Sequence, residues 1–310
     1  MPNLIHPFVP LAPDQTDILA QRLDGALTQA RTLGIRVNSL GRMPQAVKLL
    51  KAVYSAGAYP TTHPQLVRTG NAIKAAFQMT RVIDAIQAPG PPGVLRALRR
   101  ALKGTLDDVG ATDAHRAQSE LFFGVTLVAG GTRTGAPRPG KGKTPDFVAT
   151  VDTANYSVEV KRLESVDSIK AGVDEAAEQI WEYKPYPGDI IFDFSDLLPA
   201  PFGVKDMATP QATFWGPFRA AYAVAHDYLD ARACDPKHAR IAVLCCFAES
   251  FLWTVPNPHP LPHAALMYYG EVFPRAYGGL VVEQSDKLQA RIWAGFQELG
   301  GRVRRSVRMP

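Results

Sequence analysis

Residues 145–161 read PDFVATVDTANYSVEVK, and the fold turns on how this stretch is taken. PDFVATV (145–151) and the start of YSVEVKRL (156–163) alternate apolar and polar residues. They flank Asp152-Thr153-Ala154-Asn155, a cluster of turn formers. Two short alternating runs around such a cluster predict an antiparallel hairpin. Residues two apart in a strand share a face, so Glu159 and Lys161 project together while Val158 and Val160 point into packing. A two-residue loop at Thr153-Ala154 would set Asp146 opposite Lys161 and diagonal to Glu159, on the same face. A slip of one residue would turn Asp146 to the other side, so the register carries the inference.

Helices and strands alternate outward from the hairpin. Residues 112–129 have helical periodicity before it, ending at Gly130-Gly131. TRTGAPRPGKGK (132–143) is rich in Gly, Pro and basic residues and is expected to be a loop. After the hairpin come a helix over 168–184, a buried strand DIIFDFSDLL (189–198), a helix near 216–231, a strand near 240–247 and a helix near 284–299. This order predicts an α/β core with a mixed sheet flanked by helices. Upstream, residues 1–13 read as a Pro-rich extended arm. Helices follow from about Asp14 to Leu33, from Pro44 to Gly57, from Pro64 to about Gln87 and over 94–103. The expected organisation is an all-helical part over 1–110 and an α/β part over 111–310.

Charge divides the chain at about the same place. Residues 1–110 hold 13 Lys/Arg against six Asp and no Glu, a net of +7, and the remainder is net −2. A basic front half suits a polyanion partner. Arg96, Arg99, Arg100 and Lys103 lie three and four apart and share one helix face, which would track phosphates or simply be a solvated side. With 46% apolar and 20% charged residues, the 310-residue chain has material for a packed core. Three cysteines, two of them adjacent, form neither a disulfide framework nor a zinc spacing, which fits a reducing compartment such as the cytoplasm. MPNLIHPFVPLAP lacks the pattern of a signal peptide, and no apolar run approaches a membrane span.

Two carboxylates and one ammonium at the end of a hairpin suit a particular chemistry. Hard carboxylate oxygens take Mg²⁺ or Mn²⁺. Such an ion acidifies a bound water and neutralises a phosphate, and an adjacent Lys stabilises developing negative charge. The substrate implied is a phosphodiester. Pro145-Asp146, twelve intervening residues and then Glu159-Val160-Lys161 resemble the signature of the PD-(D/E)xK nuclease superfamily, which has the restriction-endonuclease-like fold. The flanks agree: RAQSELFFG supplies Glu120 on the preceding helix, and AAEQIWEY supplies Gln179 on the following one. The resemblance covers roughly residues 112–200, about a third of the chain, and the order of elements makes it more specific than the short motif.

The resemblance implies that Asp146, Glu159 and the carbonyl of Val160 ligate Mg²⁺ or Mn²⁺, with Glu120 as an outer ligand. It implies that Lys161 positions the attacking water and that Gln179 supports the site or touches the backbone phosphate. DNA would be cleaved in preference to RNA. Arg133, Arg138, Lys141 and Lys143 in the adjoining loop are candidate phosphate contacts, as are the basic residues of 94–103. A second copy of the chain or a regulatory protein is a candidate partner, by analogy with defence and toxin systems. The same fold could also serve as a nucleic-acid-binding module without catalysis. The plain reading of Glu159 and Lys161 is a surface ion pair on an exposed strand.

Other signals in the sequence do not point to a site. GKGKT (140–144) has Pro137 where a phosphate-binding loop needs Gly, and a strand follows it where a helix should. His259 and His263 lie in a Pro-broken stretch, so no helical metal pair forms. Asp193 and Asp196 read as turn caps, Cys245 and Cys246 as inert packing. Arg302, Arg304, Arg305 and Arg308 form a basic tail.

Overall fold

The computed structural model describes residues 3–10, 12–86, 92–107, 112–137, 143–183, 186–198, 202–204, 209–254, 262–272 and 285–298. The helices are α1 (Thr16–Thr32), α2 (Arg42–Ala56), α3 (His63–Ala85), α4 (Pro92–Ala101), α5 (Asp113–Ala129), α6 (Ser168–Tyr183), α7 (Thr209–Ala231) and α8 over 285–298. The strands are β1 (Asn3–Pro10), β2 (Arg133–Gly135), β3 (Phe147–Val151), β4 (Ala154–Arg162), β5 (Gly188–Asp193), β6 (Phe202–Val204), β7 (Ile241–Thr254) and β8 (Pro262–Val272). They form one sheet in the order β1-β8-β7-β5-β4-β3-β2, with β6 also on β7. β4, β5 and β7 run parallel, and the flanking pairs are antiparallel. The fold is α/β with a mixed sheet, as the alternation of patterns predicts.

Helices cover both faces because the central strands alternate two apolar sets. Every residue of β5 is buried. Val158, Val160, Ile191, Val243, Cys245 and Phe247 face a core shared with α1–α5 and with Leu288, Ile292 and Phe296 of α8. Ile190, Phe192, Leu244 and Cys246 face the other core, under α6 and α7. The adjacent cysteines therefore pack in different layers, which the pleat requires. The front helices bury their apolar stripes in the same cluster as α5 and the sheet, and the N-terminal arm pairs with β8 as β1. Chain on both sides of residue 110 thus contributes to one core.

Two expectations about local structure need correction. Residues 133–135 are strand β2, paired to β3, where a loop was expected. Backbone pairing to a neighbouring edge needs no apolar pattern in the added strand, so the sequence carries no mark of it. The buried run from 189 stops as a strand at Asp193. There the carboxylate Oδ1 accepts the N–H of Ser195 at 2.9 Å and turns the chain.

α5 and α8 cross backbone to backbone. A methyl group on Gly130 would lie 1.8 Å from the carbonyl oxygen of Arg291, and one on Gly295 would lie 1.9 Å from that of Thr126. Gly295→Ala is expected to lower stability by about 1–3 kcal/mol, because the helices must separate to admit the side chain. Chemical denaturation of the variant against the parent checks this.

Candidate active site

β3 and β4 are joined by a two-residue turn, as expected, but one position earlier, at Asp152-Thr153. Val151 pairs with Ala154, and Asp152 sits at the turn with φ 53°. Asp tolerates this left-handed conformation better than most residues, so it takes the first turn position. The pairing is shifted by two residues from the expected register. A two-residue shift leaves every side chain on its original face. It does change the neighbours: the ladder ends at Phe147 opposite Val158, and Asp146, the next residue, stands beside Glu159 rather than opposite Lys161.

Asp146 is held at this point by the backbone. The N–H of Val160 donates to its Oδ2 at 2.8 Å. N–H and C=O of one strand residue point to the same edge, so the carbonyl of Val160 is directed to the same place. Glu159 is buried, and its Oε1 lies 3.0 Å from Lys161 Nζ. Its Oε2 is buried with no hydrogen-bond partner. Lys161 also donates to Gln179 Oε1 at 2.7 Å and lies 3.3 Å from Glu175 Oε2. Gln179 in turn donates to the carbonyl of Thr144 at 3.4 Å, tying α6 to the segment that enters β3.

Glu120 approaches from α5, and its Oε2 accepts from Arg100 Nη2 at 2.8 Å. Burial raises its pKa, Asp146 adds to the rise, and Arg100 opposes it. Burial is also the main cause that lifts Asp146 and Glu159 above the ordinary carboxylate range. Glu159 further feels Asp146 and Glu120. Burial works against the charge on Lys161, but Glu159 and Glu175 outweigh it and raise its pKa. The five residues singled out in the sequence therefore share one electrostatic site. Glu175 was missed, although it lies one helical turn before Gln179 and so on the same face of α6.

The candidate phosphate contacts divide. Arg96, Arg99 and Lys103 are exposed on and just past α4, and Arg133 is exposed on β2. Arg100 is engaged by Glu120 and by Asp113, with 3.3 Å from Nη1 to Oδ1 of the latter. Lys143 is tied to α6: its Nζ pairs with Glu178 and its N–H donates to Glu182. Arg138 and Lys141 lie outside the described residues, as do His259 and the C-terminal arginines.

The residues fit a divalent ion of a particular kind. The donors are hard oxygens, one carboxylate oxygen is buried without a partner, and burial works against the three negative charges. A dication relieves that desolvation. Among the described residues, no group of three or more acidic, His or Cys side chains is gathered to hold an ion by itself. The hard carboxylate oxygens present would suit an ion that keeps several waters, as Mg²⁺ does.

Comparison with known protein families, curated proteins and solved structures finds no match. The reading of the site rests on its own geometry.

The raised carboxylates set a pH signature. A group whose pKa is higher in the folded state holds its proton there after the unfolded chain has lost it. Stability then falls as pH rises from the ordinary Glu value of about 4.3 through the folded value. For Glu159 the folded value is about 8, and for Asp146 about 6. In chelator, Glu159→Gln is expected to match the parent in thermal stability near the acid end of that window and to exceed it at the alkaline end. Mn²⁺ is expected to stabilise the parent more as pH rises, because an ion must displace those protons.

Proposed function

We propose that the chain is a metal-dependent nuclease that hydrolyses phosphodiester bonds, DNA in preference to RNA, on a restriction-endonuclease-like core of the PD-(D/E)xK type. One observation carries the reading. Asp146, Glu159 and Lys161 meet at the end of a hairpin with Glu120 and Gln179, and one buried carboxylate oxygen there has no protein partner. A structural ion pair needs only Glu159 and Lys161. It does not call for Asp146, Glu159 and Glu120 to be desolvated and for Asp146 to raise the pKa values of the other two, which is costly unless a cation joins them.

The roles follow from the contacts. Asp146, Glu159 and the carbonyl of Val160 would hold Mg²⁺ or Mn²⁺, with Glu120 as an outer partner. When bound, such an ion supplies charge neutralisation at the phosphate and a more acidic water. Lys161 is kept protonated by Glu159 and Glu175, so it orients the attacking water and faces negative charge as it develops. Gln179 fixes the Lys161 ammonium by accepting one of its three protons. The exposed Arg96, Arg99 and Lys103 would contact backbone phosphates, which gives affinity without sequence readout. A second copy or a regulatory protein remains a candidate partner. No described helix is long and apolar enough to cross a membrane. The three cysteines form no disulfide, which fits the cytoplasm.

The test is a cleavage panel of plasmid, linear duplex, single-stranded DNA and RNA with Mg²⁺ or Mn²⁺, run beside Asp146→Asn. Cleavage by the parent alone supports the reading. Retained binding with no cleavage above the variant replaces it with that of a nucleic-acid-binding module.

A further inference from the structure

The two cations that face the three carboxylates are unlike in placement. Lys161 comes from the hairpin itself. Arg100 comes from α4, in the basic front half, and reaches across to α5. Its guanidinium spans Glu120 and Asp113, seven residues and so two turns apart on α5. Arg100 opposes the rise in the Glu120 pKa and acts on Asp146 as well, so its charge is felt within the site.

This position is built into the fold. The last turn of α4 is clamped by Arg42: its Nη2 donates to the carbonyl of Ala101 at 2.8 Å and its N–H to that of Gly104 at 2.9 Å. Arg42 Nη2 also reaches Gln118 on α5. α4 is thus fixed against α5 by groups other than Arg100. The Arg100 side chain is itself 37% exposed. Glu120 is only 20% exposed, so leaving it unpaired is costly, and the guanidinium gives it up only when another cation takes its place.

We propose that Arg100 is a displaceable counter-cation: it holds Glu120 in the free protein, yields it to a divalent ion, and turns its guanidinium to a phosphate of the nucleic-acid backbone. The proposal rests on the nuclease reading above. Arg100 then makes ion binding and substrate binding favour each other. Arg100 would release the carboxylate when an ion is bound, and would be freed for that exchange when it pairs with a phosphate. Arg suits the second partner because its fork matches two phosphate oxygens. Arg96, one turn earlier on α4, and the exposed Arg99 and Lys103 extend the same surface for neighbouring phosphates.

Calorimetric titration of Mn²⁺ into the full chain, without nucleic acid, tests the first half. At a pH high enough to keep Glu120 ionised, Arg100→Gln is expected to bind the ion about fivefold to tenfold more tightly than the parent, as a competing cation is removed. Arg100→Lys is expected to fall between them. Binding of an oligonucleotide in Ca²⁺ and in chelator tests the second half. The parent is expected to gain affinity on adding Ca²⁺, and Arg100→Gln to lose most of that gain. A gain in ion affinity separates this role from a structural one, which would leave ion binding unchanged or weaker. Either of those results at Arg100→Gln, with the parent binding Mn²⁺, overturns the proposal alone. Failure of the parent to bind Mn²⁺ overturns the nuclease reading, and the proposal with it.

Discussion

On the proposed nuclease reading, Lys161→Ala is expected to lower metal-dependent cleavage by about 10²–10³-fold, the loss typical of removing one preorganised donor from a site where charge develops. The contacts explain the size. Lys161 is held on three sides by Glu159, Glu175 and Gln179, so little reorganisation is needed when a phosphate gains charge beside it. The variant also removes the partner of buried Glu159 Oε1, and Glu159 then holds its proton more strongly. Part of the loss should therefore appear as weaker ion binding and part as a lower maximal rate. Gln179→Ala leaves the ammonium in place but unsteadied, so a smaller loss, mainly in rate, is expected. Single-turnover cleavage across a Mn²⁺ titration up to saturation, with thermal melting to show retained fold, checks both. Equal activity of Lys161→Ala and the parent would remove Lys161 from the chemistry.

Arg162→Ala is expected to destabilise the protein by about 3–5 kcal/mol, the cost of breaking a buried ion pair from one side. Arg162 is the residue after Lys161, so its side chain points to the opposite face of the sheet. There it makes two contacts with Asp196, Nε to Oδ2 at 2.6 Å and Nη2 to Oδ1 at 2.7 Å. It also lies 3.3 Å from Asp193 Oδ2, which accepts from Ser119 of α5. Burial would raise the Asp196 pKa, but Arg162 outweighs it and holds that carboxyl well below its ordinary value. Without Arg162, buried Asp193 and half-buried Asp196 lose their counter-charge. The sign with pH is definite. A depressed folded pKa contributes stability above the ordinary Asp value of about 3.9, and that contribution fades as pH falls. The gap between parent and variant in urea denaturation is therefore expected to hold from neutral pH to about 4 and to narrow as the pH falls further. Arg162→Lys keeps a charge without the fork and is expected to lose less.

This buried network belongs to a wider seam. Arg42 of α2 reaches Gln118 of α5, Gln118 donates to Gln78 of α3, and Gln78 donates to Glu249 of β7. The charges of Lys74 and Arg81 on α3 offset part of the burial that raises the Glu249 pKa. Polar side chains thus bind the front helices to the sheet where apolar periodicity would predict only packing.

What was legible in the sequence was whatever rests on local periodicity and turn chemistry. The alternation in 145–163 predicts the hairpin and places Glu159 and Lys161 on one face. The order of helices and strands predicts a mixed α/β sheet, and helical spacing puts Gln179 within reach of the hairpin. The exact register was not legible, because it depends on which residue takes the positive φ. Yet the pleat repeats every two residues, so the face survived the shift. Tertiary structure alone decided the rest. Asp193 and Asp196 read as caps from sequence, and one of them does turn the chain, but both also pair with Arg162 across the sheet. Arg100 read as one of four residues on a wet basic face, and packing of α4 on α5 singled it out by bringing Glu120 beneath it. β2 and β1 join the sheet through backbone groups, which every residue but proline carries alike. Periodicity encodes which side of an element is buried. It does not encode which element arrives to bury it, and so the partners of a charge separated by 20 or 30 residues emerge only when the layers close.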